Sequence, residues 1–243
     1  MKQRKNPINL RKIEREYARL LRRVADQVGL MIGAFKSLDY QSSLKIIDSL
    51  QKYAELLTDW ATATATNMLT QVEKKDKAAW MEYSKELSKG LQEEIKNAPT
   101  GKVMKELLDE QVTLIKSIPL AAAQRVHDLA IEATEGGKRA SEVAELIKQS
   151  TQVSVSKANT IARTEVSRAS SVLTQARAMH IGSEGYIWRT TGDSDVRESH
   201  KKMNGKFVKW TEPPALLEGK KIYHAHAGQI FNCRCYPEPV LPE

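Results

Sequence analysis

The sequence predicts an α+β protein: a mainly helical N-terminal part, residues 1–137, followed by a small α+β module, 138–243, with a long helix and short antiparallel strands. Three observations carry this. Apolar residues recur at three- and four-residue steps through the first 135 residues, which is the period of a helix face. Gly136-Gly137 then closes that pattern. After His180 the composition turns to short β-type segments split by the turn-forming TGDSD and NG.

The elements follow in order. Ile13, Tyr17, Leu20, Leu21, Val24, Val28 and Met31 share one face with the arginines largely opposite, so an amphipathic helix starts near Leu10. A second helix is predicted over about 40–72 on Leu44, Ile47, Leu50, Tyr53, Ala54, Leu57 and Trp60. A third, over about 78–96, uses Trp80, Tyr83, Leu87, Leu91 and Ile95, and Pro99 and Gly101 break it. Helices over 103–116 and 120–135 are predicted on either side of Pro119. Next come a short helix, 142–149, a polar turn STQVSVS, and a long helix over about 157–180. Strands are predicted over 186–191 and 206–210, with Asn204-Gly205 suiting a tight hairpin turn and Gly192 another turn; the rest of the tail reads as loop. No repeat of fixed length is present.

Composition limits the function classes. No unbroken apolar run reaches the roughly 18 residues of a membrane span, and MKQRKNPINLRK lacks the apolar stretch of a signal peptide. The expectation is synthesis in the cytosol and no membrane partner. Two cysteines are too few for a disulfide framework, and a reducing compartment favours free thiols or metal-bound thiolates. The charge is local: Lys2, Arg4, Lys5, Arg11, Lys12, Arg15, Arg19, Arg22 and Arg23 face only Glu14 and Glu16, so residues 1–23 hold +7 of the net +8. Such a cluster suits nucleic acid, an anionic protein surface or anionic lipid, and equally a solvated helix face; composition does not choose among them.

On a helical wheel, Glu165 falls in the middle of the stripe Ala158, Ile161, Ala162, Val166, Ala169, Val172, Leu173, Ala176 and Met179. A buried carboxylate needs a proton or a partner, and Arg189, Arg197 and Arg234 downstream are the candidates. If the helix is packed loosely there, Glu165 reaches solvent instead.

Three stretches, IARTEVSRAS at 161–170, WRTTGDSDVRESHKKMNGK at 188–206 and FNCRCYPEP at 231–239, together resemble the phage head-morphogenesis family of phage Mu protein F and the SPP1 minor head protein. The resemblance spans roughly 138–239 and leaves 1–137 without a matching motif. It implies a non-enzymatic minor protein of the capsid interior, made alongside the portal protein and needed for head assembly. The implied location is the virion, with the host cytoplasm as the site of assembly. The implied partners are the portal and a scaffold or major capsid protein; DNA is a further partner if the basic N-terminal helix contacts it.

Many family members carry C-x-x-C after the Asp motif and H-P-x-C-R-C near the end, a ligand set resembling a zinc site. Here Arg197 and His200 stand for the first pair, and Ile230 and Phe231 for the His-Pro. Three readings of Cys233 and Cys235 stay open. Two residues apart on an extended segment, they point to one side, and with His200 and either His224 or His226 they supply the four ligands of one structural zinc. Without a cofactor, they are free thiols packed in a polar network. The third is a disulfide, strained at so short a separation. In the network reading Arg197 and Arg234 offer planar forks to Glu165, Asp193 and Asp195, with Arg163 and Arg189 nearby in the same motifs and Gly205 as a turn residue.

Two other functions compete with head assembly. One is a metal-dependent nuclease or hydrolase built on Asp193, His200, His224 and His226, since such groups activate metal-bound water. No H-E-x-x-H or comparable constellation supports it. The other is a toxin-type transferase, because related modules occur fused to toxins; that reading expects a further domain and is set aside.

Overall fold

The computed structural model describes residues 8–35, 40–86, 88–136 and 140–242. Seven helices come first: α1 Arg11–Gly33, α2 Tyr40–Leu56, α3 Thr58–Tyr83, α4 Lys89–Lys96, α5 Gly101–Gly136, α6 Ala140–Lys148 and α7 Ser150–His180. The strands follow around one short helix: β1 Gly185–Arg189, α8 Glu198–Lys201, β2 Phe207–Lys209, β3 Ala215–Glu218, β4 Lys221–His224 and β5 Tyr236–Pro239. The fold class is the one the sequence predicts. None of the described helices is long and apolar enough to cross a membrane.

Several boundaries differ from the periodicity. The helix predicted over 40–72 is interrupted at Leu57, where the Thr58 hydroxyl donates to the Glu55 carbonyl (2.9 Å) and competes with the backbone ladder. The ladder resumes at once, since Ala61 N donates to Leu57 O at 2.7 Å. No helix begins at 78: α3 runs on to Tyr83, and after a 3-10 turn, Ser84–Glu86, α4 starts where the Ser88 hydroxyl accepts from Leu91 N (3.3 Å).

Pro119 does not split its segment; α5 passes straight through it. A proline inside a helix costs about 3 kcal/mol, but the buried face of Ile115, Ile118, Ala122, Ala123 and Val126 continues unbroken across it. STQVSVS is likewise helical, forming the first turns of α7. Its small residues answer a packing demand: a Cβ on Gly29 would lie 2.6 Å from Thr151 Cγ2, and the buried Ser154 hydroxyl is satisfied by Ser150 O at 2.8 Å. Asn204-Gly205 is not a two-residue hairpin loop, because α8 lies between β1 and β2. Gly205 takes φ +83° and donates its N–H to Trp188 O (2.8 Å), while Asn204 Oδ1 accepts from Thr190 N (3.0 Å). The tail is also less loop-like than its composition, since it supplies β3, β4 and β5.

The described chain packs as two compact units, each discontinuous in sequence. One takes the described residues of Met1–Glu14, Asn67–Leu107 and Arg163–Glu243; the other takes those of Arg15–Thr66 and Leu108–Ala162. These are divisions by packing, whereas the 137/138 boundary is a division by motif. The second unit is all helical, with Val28, Ile32, Ile46, Leu50, Val126, Val143 and Ile147 at its centre. The first unit holds the sheet β2-β1-β5, antiparallel throughout, with Tyr186 opposite Val208 and Pro239, and the separate hairpin β3-β4. Trp80, Ile95, Ile181, Tyr186, Trp188, Val208, Trp210, Leu216, Cys233 and Cys235 share its core. Burying that much aromatic surface in so short a sheet is what fixes β1 between its neighbours.

Candidate metal centre

The site lies in the first unit, where α8 meets the segment entering β5. The single turn of α8 carries His200 inward, with its ring edge-on to Trp188 (5.5 Å between centroids, 88° between planes). Asn232, at φ 54°, turns the opposite segment, a conformation that asparagine tolerates, and its N–H is held by Thr164 Oγ1 of α7 (3.0 Å). That turn sends both thiols toward His200. Nδ1 of His200 lies 3.4 Å from Sγ of Cys233 and 3.4 Å from Sγ of Cys235, and all three residues are buried. Both cysteines are free, so the disulfide reading is set aside.

The two sulfurs share their charge. A hydrogen bond from Cys235, followed by one from His200, holds the Cys233 thiol well below its ordinary range against the opposing effect of burial. The same sharing, with burial added, pushes Cys235 up. One thiolate facing an imidazole nitrogen is the donor chemistry of a zinc or other soft-metal site. The distances fit as well: Zn–N of roughly 2.0–2.1 Å and Zn–S of roughly 2.3 Å place N and S roughly 3.5 Å apart in a tetrahedron.

On its other side His200 meets Glu218, at the end of β3. Nε2 stands 3.0 Å from Glu218 Oε1, and Arg197 Nη1 stands 2.9 Å from Oε2, both at ion-pair distance but without the alignment of a hydrogen bond. The Ser199 hydroxyl donates to Oε1 at 2.7 Å. Burial raises the Glu218 carboxyl, but the hydrogen bond from Ser199 and the nearby Arg197 and His200 charges outweigh it and hold the group below the usual range.

The structure brings together His200, Cys233 and Cys235, and leaves two predicted ligands elsewhere. His224 is exposed, with Nδ1 against Pro213 O (3.4 Å). His226 is buried at Tyr186 OH (3.2 Å) and across from Trp210, and burial lowers its pKa. His224 ends β4, a strand exposed along its whole length, whereas His226 lies beyond it, where Tyr186 and Trp210 claim its ring.

The predicted network arginines Arg163, Arg189, Arg197 and Arg234 are all engaged, in pairings that differ in part from the expected ones. Arg234 bonds Asp193 (3.0 Å) and Asp195 (3.2 Å), as the network reading expects. Arg197 instead takes Glu218, donates to Phe231 O and stacks over the Phe231 ring, 4.6 Å from its centroid. Arg189 pairs with Glu238, and Arg163 with Glu14 (3.5 Å). Glu165 is buried as expected, but its arginine is Arg168, one turn on in the same helix (3.3 Å), rather than one from the last 60 residues. Helical spacing supplies that partner without any crossing of the chain. Of the basic N-terminal residues, Lys2, Arg4 and Lys5 lie outside the described residues. Arg11, Lys12, Arg15, Arg19 and Arg23 are exposed on α1, and Arg22 donates to Asn159 Oδ1 (2.8 Å).

Two features escaped the sequence reading. Glu218 gave no signal, in a strand four residues long and 18 positions from His200. The other is a buried cluster in the first unit, in which Arg177 bonds Asp76 (2.8 Å), Glu73 (2.6 Å) and Ile95 O (3.1 Å), while the Thr174 hydroxyl donates to Asp76 (2.6 Å). Its signal was present: Arg177 follows Leu173, and Asp76 follows Val72, at the four-residue step of an apolar face.

Fold and site together define a helix-rich α+β protein whose strand-bearing part is closed by a buried His–Cys–Cys cluster ringed by ion pairs. Residues 124–237 match the family described as "Phage Mu protein F like protein". An "Uncharacterized protein" of Haemophilus influenzae is 34% identical over 149 residues, covering 60% of this chain and 32% of its own. An "NAD(+)--arginine ADP-ribosyltransferase EFV" of Enterococcus faecalis is 32% identical over 122 residues, covering 46% of this chain and 25% of its own. The chain thus spans a third or less of the length of the curated relatives it matches. No solved structure matches it.

Proposed function

We propose that this chain acts without catalysis as a minor head protein of a tailed phage or prophage, taking part in head assembly at or near the portal. The observation that carries the reading is the family match over 124–237, which contains all three donors of the cluster. The strand-bearing part serves as a rigid adaptor, and a scaffold or major capsid protein is its further partner. The exposed Lys12, Arg15, Arg19 and Arg23 of α1 support a contact with packaged DNA or an acidic partner surface. His200, Cys233 and Cys235 hold one structural zinc, which when bound contributes its binding energy to folding.

The nuclease alternative needs Asp193, His200, His224 and His226 to converge. Asp193 instead faces Arg234, and the two other histidines stand apart from His200. The activity printed for the Enterococcus protein is not carried over, since only 25% of its length is aligned.

Mass spectrometry of purified heads tests the assembly role. Peptides of this chain should appear in particles, and deletion of its gene should leave malformed or DNA-free heads. Normal, infectious particles without the chain would refute the role.

A further inference from the structure

We infer that Glu218 is the positioning residue that presents His200 to the metal, and that Arg197 serves as the counter-charge of Glu218 instead of ligating. The ion's fourth position then falls to an exogenous monodentate ligand, water or a small anion. This rests on the zinc reading of the cluster.

An imidazole that ligates through Nδ1 must carry its proton on Nε2, and that tautomer is fixed by whatever accepts the proton. Nδ1 of His200 is turned to the two sulfurs, and the carboxylate oxygen at Nε2 is Oε1 of Glu218, 3.0 Å away. Glu218 is itself held, by the Ser199 hydroxyl on Oε1 and by the Arg197 guanidinium on Oε2. The Arg197 guanidinium is committed to Glu218, the Phe231 carbonyl and the Phe231 ring. Among the described residues no fourth His, Cys, Asp or Glu joins the donor group. A small cavity of about 20 Å³ does adjoin it, bordered by Thr191, Asn232 and Arg234 as well as the donors. That space is of the order of one water molecule. Three protein ligands with one open position is the arrangement of zinc sites that keep a solvent ligand.

The test uses the full chain without a metal-binding tag. Zinc affinity is measured by competition with a chromogenic chelator, and the cobalt(II) form is followed by its visible spectrum. Glu218→Gln should weaken zinc about tenfold, within the range typical of lost outer-shell partners, measured without denaturant where circular dichroism shows the metal-free variant folded. Ser199→Ala, which frees Glu218 without removing it, should give a smaller loss in the same direction. Azide should shift the cobalt bands of the wild type. Arg197→Cys should add thiolate charge-transfer intensity and abolish the azide response. Wild-type zinc binding with unchanged affinity in both Glu218→Gln and Ser199→Ala would overturn the inference, as would cobalt bands indifferent to azide. A wild-type chain that takes up no zinc would instead overturn the reading on which it rests.

Discussion

Arg177 of α7 and Asp76 of α3 meet at 2.8 Å with almost no solvent access, at 1% and 0% side-chain exposure. Glu73, Thr174 and the Ile95 carbonyl complete the guanidinium's and carboxylate's bonds. A buried pair so fully satisfied specifies how the two helix segments and the last turn of α4 fit together. Removing either partner leaves the other charge buried. Asp76→Ala should therefore lower stability by about 3–5 kcal/mol in urea unfolding, and the double change Asp76→Leu with Arg177→Met should recover much of it. A loss below about 1 kcal/mol for the single change would mean that the cluster is solvated.

Burial pushes the Asp76 carboxyl up to about 6, and the bonds from Thr174 and Arg177 only partly counter it. Because this lies above the value of about 4 for an unfolded aspartate, the folded chain binds the extra proton between those limits. The group's contribution to stability is present in full below about pH 4 and is lost as pH rises through about 6, a swing of up to about 3 kcal/mol. Urea midpoints measured from pH 7 down to 4 should show this rise against whatever the other carboxylates contribute, and Asp76→Asn should remove it.

How much of this was legible in the sequence depended on whether a residue's partner lies within a helical turn or far along the chain. The apolar period located α1, α2 and α7 and put Glu165 inside the protein. Pro119 and STQVSVS depart from local propensity because packing overrides it there. His200, Cys233 and Cys235 were readable as ligands from their chemistry, yet the exclusion of His224 and His226 depended on an exposed hairpin strand and on aromatic neighbours that only the fold supplies. Arg177 was readable by the test that picked out Glu165, a charge at the four-residue step of an apolar face. Glu218 was not, because nothing local distinguishes one glutamate in a hairpin.

The exposed basic face of α1 should carry a salt-dependent contact. Changing Lys12, Arg19 and Arg23 to Ala should weaken DNA binding most at low salt, and should reduce the slope of log K against log salt by about 0.9 for each phosphate contact removed. Filter binding across a salt series checks this. An unchanged slope with unchanged affinity would leave these residues as a solvated helix face.

Glu165 offers a contrast with the Arg177 cluster. Its pair with Arg168 is an i,i+3 contact on one helix, and the arginine side chain is 29% exposed. Arg168→Ala should cost less than Asp76→Ala, about 1 kcal/mol or below. Parallel urea melts of the two variants give the comparison, and a larger loss for Arg168→Ala would mean that the pair is tied into the core.

The zinc content of the untagged chain, taken by elemental analysis beside its unfolding with and without chelator, tests the central claim about the site most directly. The account predicts about one zinc per chain, bound by His200, Cys233 and Cys235 and absent from the Cys233→Ser, Cys235→Ser double variant, with stability that falls when chelator removes it. A chain free of zinc after expression in zinc-replete medium, with unfolding indifferent to chelator, would contradict it and leave the Arg197–Glu218 and Arg234–Asp193 pairs as the fastening of that part of the fold.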